Sequence, residues 1–158
     1  MVEAIRWSRS HDHQVLEALF DEALAALLAQ RGGGWALEEV ASSLGASDVE
    51  ITPASLLEAT LAAAEVKVAV ATLDEVVVGM GASRLDGAVG EILGCYVEPA
   101  ARGVGCGQGL LGFLVASLRN EGVTRIDAMA LPGDRHTKQL LESGGLKARR
   151  ITMSVELR

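Results

Sequence analysis

Aromatic side chains are scarce in this chain, with one tyrosine, two tryptophans and two phenylalanines among 158 residues. With 49% hydrophobic residues overall, the core has to be aliphatic, built from alanine, valine and leucine with little stacking surface. Two cysteines cannot make a disulfide framework, so a reduced, cytoplasmic setting is expected. No apolar run is long enough to span a bilayer, which removes the membrane as a partner. The opening residues Met1 to Arg6 lack the basic-then-apolar shape of a signal peptide. Basic charge is missing as well. Residues 1–64 hold ten acidic side chains against Arg6, Arg9 and Arg31, while the remainder is balanced. With no basic face to displace counterions, nucleic acid is excluded as a partner. An acidic first half serves solubility, and it is also compatible with a cationic molecule being drawn to it.

The length suits a single domain, residues 1–158. Residues 3–8 alternate like a first strand, and Ser10 or Asp12 can cap a helix whose apolar positions run from Leu16 to Leu27. Gly32-Gly33-Gly34 stops that helix, and a short helix is expected around 37–44. Thr52-Pro53 starts another helix, through Ala64. From residue 65 the texture changes. "EVKVAVATL", "VVVGMGASRL" and "AVGEILGCYV" are β-rich runs joined by Asp74-Glu75 and Asp86-Gly87, which predicts an antiparallel meander. A helix ending at Gly122, a fifth strand in "TRIDAMAL", a short helix over 134–144 and a final strand or two in "KARRITMSVEL" complete the order βααβββαβαβ(β). This is an α/β class with a mixed, mostly antiparallel sheet and helices on both faces.

The run "YVEPAARGVGCGQGLLGFL" places five glycines between residues 103 and 112, where a helix is starting. Gly107-x-Gly109-x-x-Gly112 matches a dinucleotide-binding fingerprint literally. That fingerprint needs its first glycine immediately after a strand, whereas Gly107 lies ten residues past Val97 and within the helix. The register Arg102-x-x-Gly105-x-Gly107 makes better physical sense. Small residues let the backbone curl so that amides of Gly103, Val104, Gly105, Cys106, Gly107 and Gln108 face one concavity at a helix start, where unpaired N–H groups and the helix dipole favour phosphate. Gly109 and Gly112 are expected to pack the helix onto the sheet.

"CYVEPAARGVGCGQGLL" resembles the acetyl-CoA motif of the GCN5-related N-acetyltransferases (GNAT), Gln/Arg-x-x-Gly-x-Gly/Ala after a strand ending in Val-x-Pro. Arg102, Gly105 and Gly107 match it, with Val97 and Pro99 upstream and Leu110 and Leu111 downstream. The resemblance implies acetyl-CoA as co-substrate, its pyrophosphate on the amides of 103–108 and its pantetheine arm beside Tyr96 and Val97. It implies a bulge in that strand, for which Gly94 is well placed, and a freed N–H near Cys95 or Tyr96 that stabilises the oxyanion.

Acetyl transfer needs an uncharged amine, a polarised thioester and a proton for the leaving thiolate. Glu91, eleven residues before Arg102, sits at the offset of the catalytic glutamate in histone-type members; its expected surroundings are Ile92, Leu93 and Val97. The tyrosine that many members use as the acid is replaced, because Tyr-Glu-x-x-Gly-Phe reads here Leu141-Glu142-Ser143-Gly144-Gly145-Leu146. Asp134 likewise stands where the family often has asparagine. Proton return is left to water, Tyr96 or His136. Arg135, His136 and Lys138 are further candidates for the cofactor phosphates. Cys95 has the chemistry of a nucleophile, although a mid-strand cysteine reads as inert core. His11-Asp12-His13 offers metal-ligand types without enough ligands, so no metal is expected. The functional expectation is direct transfer of acetyl to a primary amine of a small molecule or peptide. The alternative is a CoA-binding sensor or interaction module of the same fold with impaired catalysis. Monomer and homodimer are both compatible with the sequence.

Overall fold

The computed structural model describes residues 4–46 and 50–157. The expected first strand began at Glu3, which lies outside those residues; the strand described is β1 (Ala4–Trp7). A 3₁₀ turn, Ser10–Asp12, leads into α1 (His13–Leu28), followed by α2 (Gly33–Ser43) and α3 (Pro53–Ala62). The meander is β2 (Val66–Leu73), β3 (Val76–Asp86) and β4 (Val89–Val97). A 3₁₀ turn at Pro99–Ala101 then precedes α4 (Cys106–Asn120), β5 (Arg125–Ala128) and α5 (Arg135–Ser143).

The five strands lie in chain order, antiparallel from β1 to β4, with β5 parallel to β4. Local chemistry accounts for the joints. Asp74 and Glu75 both adopt positive φ (48° and 66°), the handedness that closes a two-residue hairpin without splaying its strands. Thr52 and Ser55 exchange side-chain and backbone hydrogen bonds at 2.8 and 3.1 Å, a reciprocal cap that starts α3 at Pro53. Asp12 is buried and clamps the chain entry. It accepts from Arg6 Nη1 and Nη2 at 2.7 and 2.9 Å and from the Arg9 amide at 2.7 Å. Those bonds, chiefly from Arg6, hold its carboxyl down to about 2.

The sheet separates two apolar clusters. One contains Leu16, Leu19 and Phe20 of α1, Leu56 and Leu57 of α3, and Val68 and Val70 of β2. The other joins Leu110, Leu111, Leu114 and Leu118 of α4 to Ala69, Ala71, Val78 and Ile92. Each fully buried leucine of the α4 stripe contributes roughly 1.5–3 kcal/mol.

Three expectations are corrected. The short helix expected around 37–44 forms as α2 but begins earlier, at Gly33, so three helices separate β1 from β2 and the expected order gains one. No strand forms after α5: residues 146–157 have no regular structure, and Ile151, Met153, Val155 and Leu157 are exposed. An alternating sequence becomes a strand only where an edge receives its backbone groups, and here none does. Finally, a side chain on Gly112 would meet nothing within 4 Å, so this glycine does not seat α4. The close approach is made from the sheet: a Cβ on Gly81 would lie 3.0 Å from Leu114, and one on Gly90 2.8 Å from Leu118.

Candidate active site

The site grows from the way β4 changes partners. From Val89 to Ile92 the strand pairs with β5, ending at Ile92↔Ala128, and with β3 on its other side. Ala82 then faces Gly94 while Ser83 faces Ile92, so Leu93 is an extra residue, a bulge. The expected bulge is there, one residue earlier than Gly94. Beyond it, residues 93–97 pair only with β3, and the chain after Ala128 departs into the loop before α5. The edge that faced β5 is left open.

The hydrogen-bond alternation identifies what that open edge presents. Glu98 N donates to Val78 O at 2.9 Å, which makes that opposed pair a hydrogen-bonded one. In an antiparallel ladder such pairs alternate, so Tyr96–Met80 and Gly94–Ala82 bond across. The N–H and C=O groups of Cys95 and Val97 therefore turn towards the gap. The Val97 carbonyl accepts from Arg102 Nε at 2.9 Å, and the Cys95 N–H is the freed donor nearest the bulge.

At the far end of the gap, Gly103 and Gly105 take φ of 86° and 93°, a conformation that side chains resist. Among the described residues no protein acceptor takes the amides of 103–108, and the first bonded one is Gly109 N on Gly105 O at 2.9 Å. Six N–H groups without a protein acceptor at the start of a fifteen-residue helix are the kind of arrangement that suits an anion. Gly107 differs from Gly105: a Cβ there would stand 3.6 Å from Leu140, an ordinary contact. Cys106 is buried among the α4 leucines, so its thiol is turned into the core.

Glu91 is not set among the apolar residues expected around it. Gly90 and Ile92 point to the α4 side, and Glu91 lies on the opposite face, with its side chain 37% exposed. Arg84, its register partner on β3, donates to Glu91 Oε2 at 2.6 Å and to the Ser43 carbonyl, ending α2, at 3.3 Å. The Cys95 sulfur packs under α4, where burial pushes the thiol up to about 12. The Tyr96 side chain lies on the α1 face: its hydroxyl donates to Glu22 Oε2 at 3.1 Å, and the Arg102 guanidinium is 5.5 Å from its ring centre. Glu22 was missed by sequence reasoning, because nothing distinguishes it from other acidic residues on a solvated helix face.

Arg135 and His136 lie in the wall of a cavity of about 650 Å³ shared with Gln30 and Arg31. Lys138 pairs with Glu142 at 3.7 Å. Asp134 caps α5. Burial pushes its carboxyl up, but bonds from Thr137 outweigh that and hold it low. Leu141 packs into the α4 cluster. His11 and His13 gather no third ligand, and among the described residues no three metal-ligating side chains converge. No helix of the described residues is long and apolar enough to cross a membrane.

A mixed sheet parted beside a helix that starts in free amides suits a ligand with an extended arm and an anionic end. The profile of the acetyltransferase (GNAT) family matches residues 34–143, and the chain belongs to that family of acetyl-CoA-dependent N-acetyltransferases. Comparison with curated proteins gives no match. Solved structures share the fold at low identity. The aminoglycoside acetyltransferase AAC(6')-Iy, in complex with a bisubstrate analogue of CoA, is 14% identical with a TM-score of 0.67, covering 98% of this chain and 97% of its own. A ribosomal-protein-alanine N-acetyltransferase from Brucella melitensis biovar Abortus is 15% identical with a TM-score of 0.68, covering 98% and 99%. An acetyltransferase from Clostridium acetobutylicum, solved with acetyl-CoA, is 16% identical with a TM-score of 0.67, covering 97% and 95%.

Proposed function

We propose that this protein transfers acetyl from acetyl-CoA directly to a primary amine of a small molecule or peptide. The observation that carries this reading is the pairing of six unpartnered amides at 103–108 with the open edge of β4 beyond Leu93. The amides hold the pyrophosphate. The pantetheine arm lies along the open edge at residues 95–97, and the Cys95 N–H polarises the thioester carbonyl where negative charge develops. Glu91 takes the first proton from the incoming ammonium through Oε1, while Arg84 steadies Oε2. Attack is direct. The Cys95 thiol, pushed up to about 12, stays protonated at neutral pH and is a poor nucleophile. Arg135 guides anionic parts of either substrate from the cavity wall, and Lys138, paired with Glu142, contributes less. A homodimer belongs to the same reading, since the tail leaves the apolar side chains Ile151, Met153, Val155 and Leu157 exposed for a second copy to cover.

Calorimetry with CoA, followed by CoA-thiol release over a panel of polyamines, aminoglycosides and short peptides, tests the proposal; light scattering measures the oligomeric state. Tight binding and saturable release with one amine class is the expected outcome. A second reading, a CoA sensor without turnover, is favoured by Leu141, which fills the position of the usual acid with core. Binding with no release across the panel would establish it.

A further inference from the structure

Acetylation of an ammonium removes two protons from nitrogen. One leaves before attack and reaches solvent; the other has to end on the departing sulfur. Glu91 gives the first an exit, and Leu141 offers nothing to the second. The half of β4 beyond the bulge holds a contact suited to it. Tyr96 joins β4 to α1 through its 3.1 Å hydrogen bond to Glu22, 74 residues away in sequence. Among the described residues Glu22 Oε1 has no partner, so one oxygen stays free to receive a proton. Arg102, the first residue of the glycine-loop signature, lies over the same ring. The phenol thus stands between the anion loop and α1, next in sequence to the amide that faces the gap.

We propose that Glu22 and Tyr96 form a proton circuit from the acceptor nitrogen to the coenzyme A sulfur, an inference that rests on the acetyl-transfer reading above. The neutral amine attacks the acetyl carbon, and the new C–N bond leaves two hydrogens and a positive charge on nitrogen. The Glu22 carboxylate takes one of those protons. As the carbonyl re-forms, the C–S bond breaks and its electron pair goes to sulfur, which receives the Tyr96 phenolic proton. The Glu22 carboxyl then turns its protonated Oε1 towards the phenolate and returns the proton, which restores the 3.1 Å contact. Amide and thiol leave, and both side chains regain their starting states.

The phenol's surroundings support the role. Burial first, then the Glu22 carboxylate, raise its pKa; Arg102 opposes them without reversing the direction, so it is protonated at neutral pH. Glu22 from α1 and Arg102 from beyond β4 are the charged groups facing it, and its β3 register partner is the uncharged Met80.

Tyr96 is the only tyrosine in the chain, so biosynthetic fluorotyrosine alters position 96 alone. With acetyl-CoA and the panel amine that releases CoA fastest, the alkaline limb of kcat should move to lower pH. The displacement should equal the shift in the phenol's own titration, read by ultraviolet absorbance in the CoA-bound protein. Tyr96→Phe and Glu22→Gln should each lower kcat on the order of 10²- to 10³-fold, and the double variant no further. CoA affinity by calorimetry should stay within about threefold, the interaction lying in the reaction and not in cofactor binding. An unmoved alkaline limb, or losses that multiply in the double variant, overturns the circuit. Wild-type turnover with both single variants unimpaired removes the circuit and leaves the acetyl-transfer reading standing. No wild-type release with any amine removes both.

Discussion

The two halves of β4 are built from similar residues and do different work. From Val89 to Ile92 the strand is paired on both edges, and its one carboxylate, Glu91, is tied at 2.6 Å to Arg84 on the next strand. From Leu93 to Val97 it is paired on one edge only. There the side chain on the α1 face, Tyr96, finds its partner on a helix and not in the sheet. A doubly paired segment has no backbone donors left for a ligand; a singly paired one keeps every second residue's N–H and C=O available. One inserted residue at Leu93, followed by the departure of β5, converts structural strand into binding surface.

The largest effect that would break this contrast is expected at the loop feeding the open half. Gly107→Val adds a side chain at the amide-lined start of α4, where a Cβ would make an ordinary 3.6 Å contact with Leu140. Losing two charge-assisted hydrogen bonds should weaken acetyl-CoA binding on the order of 10²-fold or more in calorimetry, with an unchanged melting curve. Gly105→Val confounds the two effects, because φ of 93° strains any side chain.

Within the closed half, Glu91→Gln should lower kcat about 10²-fold at neutral pH while acetyl-CoA affinity holds. A full-rate Glu91→Gln enzyme would confine Glu91 to a structural pairing and make the open half the seat of all the proton chemistry.

A third test lies far from the gap. The Asp12 carboxyl, at about 2 in the folded chain, sits below its unfolded value of about 4. Its contribution to stability is therefore fully present above pH ~4 and is lost as pH falls through 2, amounting to about 2 kcal/mol. Denaturant titrations between pH 7 and pH 2 should show wild type losing that much more than Asp12→Asn, with kcat at pH 7 unaffected. The smallest effect is predicted for the tail. Removing residues 147–158 should change monomer stability by less than about 0.5 kcal/mol, because the apolar side chains from Ile151 to Leu157 are 80–90% exposed. A larger loss that depends on protein concentration would show the tail buried in a dimer.

Legibility in the sequence followed the range of the interactions. The glycine loop was readable because positive φ, taken by Gly103 and Gly105, and bare amides are requirements of a few consecutive residues, which the Arg102-x-x-Gly105-x-Gly107 spacing advertises. The Asp74-Glu75 turn and the Thr52 cap were readable for the same reason. Gly79, Gly81 and Gly90 were not. Their lack of side chains matters because α4, and at Gly79 and Gly81 also β4, lies against them, and those neighbours arrive from elsewhere in the chain. Glu22 and Arg84 were missed because each acquires its meaning from a partner on another element.

By itself the sequence determined that this chain builds an aliphatic α/β domain with a hairpin meander and a glycine-entered helix. Backbone conformation, capping and periodic burial are decided within a few residues of each other. Only the tertiary structure decided that β5 leaves β4 at Ile92, that Arg84 takes Glu91, that Tyr96 meets Glu22, and that the alternating tail forms no strand. Pairing, burial and charge contacts belong to whichever distant surface arrives, and no local pattern specifies that arrival.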